Sequence, residues 1–164
     1  MVVDEERVLD TLRDRFGHAS FRPGQEEVVR AVLEGRDALV VLPTGAGKSL
    51  MYQLPAVLMD GITLVVSPLI ALMKDQVDGL LRIGVRAAYM ASSQTADERR
   101  ETMRRVRAGE VDLLYVSPDR LRESSFINTL ARLDVWLVAV DEAHCISTWG
   151  TDFRPDYLRI PDAI

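Results

Sequence analysis

The chain has 164 residues, 48% of them hydrophobic and 27% charged, which is enough to bury one core and too ordered a composition for a disordered segment. Its net charge of −5 and pI near 5.1 exclude a global basic field, so any contact with nucleic acid must come from a local patch. No apolar run approaches the ~18 residues of a membrane span, the start MVVDEERV is acidic where a signal peptide is basic, and the single cysteine, Cys145, rules out an internal disulfide or a zinc cluster. These features point to the cytoplasm and to no membrane partner.

In chain order, Val8, Leu9, Leu12 and Phe16 recur at helical spacing, predicting an amphipathic helix over 3–16 that Gly17 ends. Pro23-Gly24 then forces a turn, and a helix resumes over 26–33 with Val28, Val29, Val32 and Leu33 inward. Gln25 stands at that helix start. A side-chain amide there can pair with the edge of adenine, donating and accepting at once. Local chemistry favours the other reading, a helix cap at Gln25 with Phe21 as a buried staple.

The central stretch is DALVVLPTGAGKSLMY, residues 37–52. An apolar run, Ala38 to Leu42, predicts a strand; Thr44, Gly45, Ala46 and Gly47 form a turn, and Lys48 and Ser49 open a helix. Glycines let successive N–H groups curl around a phosphate, and the helix N-terminus adds its positive dipole end. Lys48 reaches the β- and γ-phosphates, and the Ser49 hydroxyl ligates Mg²⁺. The full template has a glycine where Leu42 stands, so the match is to the GKS end. Of 20 basic residues only Lys48 and Lys74 are lysines. At Lys48 a compact ammonium suits the phosphate oxygens better than a planar guanidinium.

Residues 62–66 predict a second strand, closed by Ser67-Pro68-Leu69 and followed by a helix through Leu81. A third strand near 86–89 leads into Ala91-Ser92-Ser93-Gln94. Thr95 and Glu98 form a capping box for a helix to about Ala108. Its Arg99, Arg100, Arg104, Arg105 and Arg107 suggest a nucleic-acid face, but their interleaving with Glu98 and Glu101 favours a solvated one. Strands over 112–116 and 135–140 follow, the last delivering Asp141, Glu142, Ala143 and His144. Apolar strands without alternation, separated by helices, predict an α/β fold with a parallel sheet covered on both faces and ligands at the strands' carboxyl ends. There Asp141 is suited to hold Mg²⁺ through water, and Glu142 to take a proton from the attacking water.

Taken together, FRPGQEE, LPTGAGKSLMYQLPA, VSPLIALMKDQV and DEAHCISTWGTDFRPDY resemble the first motor domain of a RecQ-type DNA helicase, over nearly the whole chain. The resemblance implies a three-layer RecA-like phosphate-loop domain spanning 1–164, truncated before the strand that carries the third motif, with the second motor domain absent. It implies ATP and Mg²⁺ as cofactors, 3′-to-5′ unwinding, and single-stranded or duplex-junction DNA as partner in repair and recombination. It reverses the preference that local chemistry sets for Gln25, making Arg22 and Gln25 adenine-recognising, with His18 at a position where tyrosine is usual. It adds DNA-backbone contacts from Ser67, Pro68 and Leu69 and from Ser92 and Ser93. The loop 149–157, through Trp149, Asp152, Phe153 and Arg154, becomes a sensor of single-stranded DNA reporting through His144; without the resemblance it reads as a structural turn. A nucleotide-dependent DNA-binding module without catalysis is the rival reading, and a small-molecule kinase a more distant one. With the third-motif strand gone, 38–42 and 136–140 are expected to share no backbone hydrogen bonds.

Overall fold

The computed structural model describes residues 4–146 and divides into two compact units, 1–60 and 61–164.

In the first unit, α1 (Glu5–Asp14) begins at Asp4, whose carboxylate accepts from the Glu6 amide at 3.2 Å, with Glu5 and Glu6 on the positive end of the helix dipole. Then come α2 (Gln25–Leu33) and α3 (Leu50–Leu58). Their apolar stripes meet in one cluster of Val8, Leu12, Val29, Leu50, Leu54 and Leu58, with Leu9, Phe16, Phe21 and Leu33 packed at its margin. Leu12, Val29 and Leu54 are fully buried, each contributing about 1.5–3 kcal/mol of transfer free energy. Phe21 is thus a marginal core residue, close to the staple read from sequence.

The second unit is a wholly parallel sheet of β1 (Ile62–Val66), β2 (Ala87–Met90), β3 (Leu113–Val116) and β4 (Val135–Val140), in the order β2-β3-β1-β4. Helices α4 (Ile70–Arg82), α5 (Ala96–Arg107) and α6 (Ser124–Leu130) make the crossovers. Ile62, Leu64, Val66, Ala88, Met90, Leu114 and Val116 face a core completed by Val106 of α5 and Phe126 and Leu130 of α6. Helix α4 packs on β2 and β3. The capping box at α5 is formed as the sequence predicts. Helix α6 and the 3₁₀ turns Pro118–Arg122 and Ala143–Ile146 are too short to carry a strong periodicity, and the sequence does not announce them.

One predicted element requires correction. Residues 38–42 form no strand and join no ladder among the described residues. A strand exists through its neighbours, and an apolar run with no neighbouring strand forms no ladder. Leu39 and Val41 are 87% and 86% exposed. The reading of 38–42 as a central strand is therefore not met. β4 pairs only with β1 among the described residues, and all six of its residues are half-buried.

Candidate nucleotide site and strand-end carboxylates

The phosphate loop of the first unit is braced by the turn that precedes α2. Arg22 donates from Nη1 to the Gly45 carbonyl at 2.8 Å, and Gln25 donates from Nε2 to the Ala46 and Gly47 carbonyls at 3.3 and 3.0 Å. The Gln25 Oε1 accepts from the Arg22 amide at 2.8 Å. Gln25 is buried, and its amide is engaged by both the turn and the loop. The bracing bonds take loop carbonyls and spare loop amides, the groups that a phosphate needs. Both readings of Gln25 from sequence missed this clamp; the signal was the short spacing from FRPGQ to the loop.

Gly47 makes the clamp possible. Its φ is +77°, and a Cβ added there would lie 2.6 Å from Gln25 Nε2, so only glycine allows both the left-handed backbone and the close approach. Lys48 donates to the Leu42 and Pro43 carbonyls at 3.2 and 3.3 Å, holding the ammonium at the base of the loop. Ser49 caps α3 with its backbone and makes no side-chain cap bond. Thr44 and His18 are exposed.

In the second unit the functional candidates gather at the carboxyl ends of the strands. The Asp141 amide donates to Val66 O at 2.8 Å, and Asp141 Oδ1 accepts from the Glu142 amide at 3.0 Å. Glu142 has φ of 53° and is the one non-glycine with positive φ among the described residues. Such a conformation costs about 1–3 kcal/mol and tends to be kept at functional positions. His144 Nδ1 lies 3.2 Å from Glu142 Oε2, a direct link between two residues singled out in the sequence. Ser92 and Ser93 sit in an exposed turn, closed by the Ala91 amide donating to Gln94 Oε1 at 3.0 Å. Of the Ser67-Pro68-Leu69 turn, Leu69 is 47% exposed while Ser67 is buried. Trp149, Asp152, Phe153 and Arg154 lie outside the described residues.

Three arginines of α5, Arg100, Arg104 and Arg105, pair with acids on their own surface, while Arg99 donates to the Gln94 carbonyl and Arg107 to the Thr129 hydroxyl. Arg104 binds Glu101 at 2.8 Å and Glu110 at 3.4 Å, and Arg100 pairs with Asp97. Donating to Glu101 and Glu110 pushes Arg104 above its usual value, and Arg104 in turn holds Glu101 below the ordinary carboxylate range. That supports the solvated face.

A family model described as DEAD/DEAH box helicase matches residues 22–164. The chain is 49% identical to the "ATP-dependent DNA helicase RecQ" of Haemophilus influenzae over 97% of this chain and 26% of that protein. It is 48% identical to the RecQ of Bacillus subtilis over 94% of this chain and 26% of the relative, and 45% identical to "ATP-dependent helicase SGS1" of Saccharomyces cerevisiae over 94% and 11%. The chain thus spans about a quarter of the length of the RecQ relatives, and the resemblance drawn from its motifs is borne out. A crystal structure titled as a hypothetical ATP-dependent RNA helicase from Sulfolobus tokodaii superposes with a TM-score of 0.66 at 22% identity, covering 87% of this chain and 43% of that one, which supports the RecA-like α/β fold. No helix among the described residues is long and apolar enough to cross a membrane. On the family match over residues 22–164, the chain belongs to the DEAD/DEAH box helicases, a family of nucleotide-using motors.

Proposed function

We propose that this chain is the ATP-binding first motor domain, residues 1–164, of a RecQ-like helicase that couples ATP hydrolysis to 3′-to-5′ unwinding of DNA, with the second motor domain carried elsewhere in the working protein. The observation that carries this reading is the clamp from Arg22 and Gln25 onto the phosphate loop, in a chain about half identical to RecQ helicases.

The roles follow from chemistry. Lys48 supplies a point charge to the β- and γ-phosphates, and the loop amides of 45–49 supply directional donors. Arg22, Gln25 and His18 are assigned to the adenine side. Mg²⁺ fits the donors available, the Ser49 hydroxyl and the Asp141 carboxylate, both hard oxygens. An Mg²⁺ of this kind is held by one or two protein groups together with phosphates and water. When bound, it would neutralise charge developing on the phosphates. Glu142, held by its backbone and by His144, is the proton acceptor for the attacking water. Single-stranded or junction DNA is assigned to Leu69, Ser92 and Ser93, with Ser67 and Pro68 contributing backbone, and to Trp149, Asp152, Phe153 and Arg154.

The test uses the complete protein that carries this chain. Glu142→Gln should abolish DNA-stimulated ATP turnover, by a hundredfold or more, while ATP binding persists. Turnover within tenfold of the parent would remove Glu142 from catalysis. An intact parent that binds DNA in a nucleotide-dependent way but hydrolyses nothing would favour the non-enzymatic binding module.

A further inference from the structure

Two Ser-Pro pairs stand at the ends of adjacent strands, Ser67-Pro68 after β1 and Ser117-Pro118 after β3. Both serines are only 2% exposed, and neither hydroxyl has a hydrogen-bond partner. A buried hydroxyl without a partner is costly, and two of them side by side ask for a reason.

The register supplies one. Val66 pairs with Val116 on one side and with Val140 on the other. The ladder continues for one more residue, with the Ser67 amide donating to Val116 O at 3.0 Å and the Asp141 amide donating to Val66 O at 2.8 Å. Ser117, Ser67 and Asp141 are therefore neighbours in one row across three parallel strands. Side chains in such a row share a face, opposite to Val66, Val116 and Val140, which belong to the core under α5 and α6. Strands are spaced by roughly 4.8 Å, a gap that two hydroxyls and a carboxylate can bridge in sequence. A hydroxyl has one proton to give and lone pairs to receive, whereas an ionised carboxylate only receives. The direction of the chain is thereby fixed, from Ser117 to Ser67 to Asp141.

We propose that Ser67 is a positioning residue, its hydroxyl donating to the Asp141 carboxylate and accepting from Ser117 when magnesium nucleotide is bound, so that the row fixes the carboxylate for the metal. The inference rests on the assignment of Asp141 to Mg²⁺ made above. It explains why the serine at this DNA-side turn is buried, and why a second serine occupies the matching position on β3. Partners of this kind commonly shift metal affinity by about 10–100-fold.

The experiment titrates Mg²⁺ into the purified protein with a fluorescent ADP and reads nucleotide affinity, with a parallel series in EDTA. Ser67→Ala should raise the Mg²⁺ concentration at half-effect about tenfold and leave affinity in EDTA unchanged. Ser67→Thr, which keeps the hydroxyl, should stay near the parent, and Ser117→Ala should move the same way as Ser67→Ala by a smaller factor. Because the Ser67 hydroxyl has no partner in the free protein, metal-free Ser67→Ala should melt at or above the parent's Tm. In an Asp141→Asn background, Ser67→Ala should add nothing. A Mg²⁺ response of Ser67→Ala within twofold of the parent would overturn the proposal. So would an equal loss of affinity with and without Mg²⁺ alongside a lower Tm, which would mark a purely structural serine. A parent that shows no Mg²⁺ enhancement at all would instead overturn the assignment of Asp141 itself, and this inference with it.

Discussion

The side-chain amide of Gln25 donates to the carbonyl of Gly47 at 3.0 Å, tying the start of α2 to the phosphate loop. The bond is one of a set with the Ala46 carbonyl and the Arg22 amide, and the glutamine that makes it is buried. The loop and the turn before α2 are therefore tied together, so an event at either is felt at the other.

Gln25→Ala should consequently loosen the loop as well as remove a contact. It leaves the Arg22 amide and two loop carbonyls without their partner, at about 1–3 kcal/mol for each group that stays buried. Hydrogen exchange at the amides of 45–49 should quicken, and ATP affinity should fall about tenfold or more. Unchanged exchange with weakened ATP binding would confine Gln25 to the base and sever it from the loop.

Leu39 and Val41 present apolar side chains to solvent, and their backbone joins no ladder among the described residues. An unpaired, β-prone apolar run is an aggregation hazard. The isolated chain should self-associate with rising concentration, and Leu39→Ser with Val41→Ser should keep it monomeric by analytical ultracentrifugation. Identical sedimentation of parent and double variant would absolve this segment.

This segment also marks the limit of what the residues alone reveal. The helices of the first unit, the four strands of the sheet, the capping box and the placement of Asp141 and Glu142 at a strand end follow from local periodicity and turn chemistry, and are found within a residue or two. Residues 38–42 carry the same apolar signal as β1, yet strand formation is a property of the neighbour as much as of the run. The Gln25 clamp escaped although FRPGQ stands close before the loop, because the spacing does not say which groups meet; the Ser117-Ser67-Asp141 row escaped because it depends on strand pairings that no window of sequence contains.

The capping box offers a test by pH. Hydrogen bonds from the Thr95 amide and hydroxyl, at 2.7 and 3.0 Å, hold Glu98 below the ordinary value of 4.5. A carboxylate whose folded pKa is depressed adds stability that is full above its unfolded pKa and vanishes as pH falls through the folded one. Glu98→Ala should therefore destabilise the protein in urea melts at pH 7 and much less at pH 3. An equal difference at both pH values would show that the carboxylate charge plays no part.

Hydrolysis by this chain alone should be close to nil. In motors of this kind an arginine finger reaches the transition state from outside the nucleotide-binding half, and it is worth about 10³–10⁵ in rate. DNA-stimulated turnover by the purified chain should stay far below about 1 s⁻¹, the low end for kinases. A rate at or above that value would mean that the chain holds a complete catalytic set.

Lys48 and its loop are proposed to bind the phosphates of ATP, and calorimetric titration of ATP into the parent and Lys48→Ala measures their contribution. Removing the ammonium leaves the loop amides and the Arg22–Gln25 clamp in place. The fold should survive while affinity falls at least tenfold, and Lys48→Arg should rescue poorly because a planar fork does not fit where a compact charge does. Equal ATP affinity in parent and Lys48→Ala, with both proteins folded, would remove Lys48 from the phosphate site.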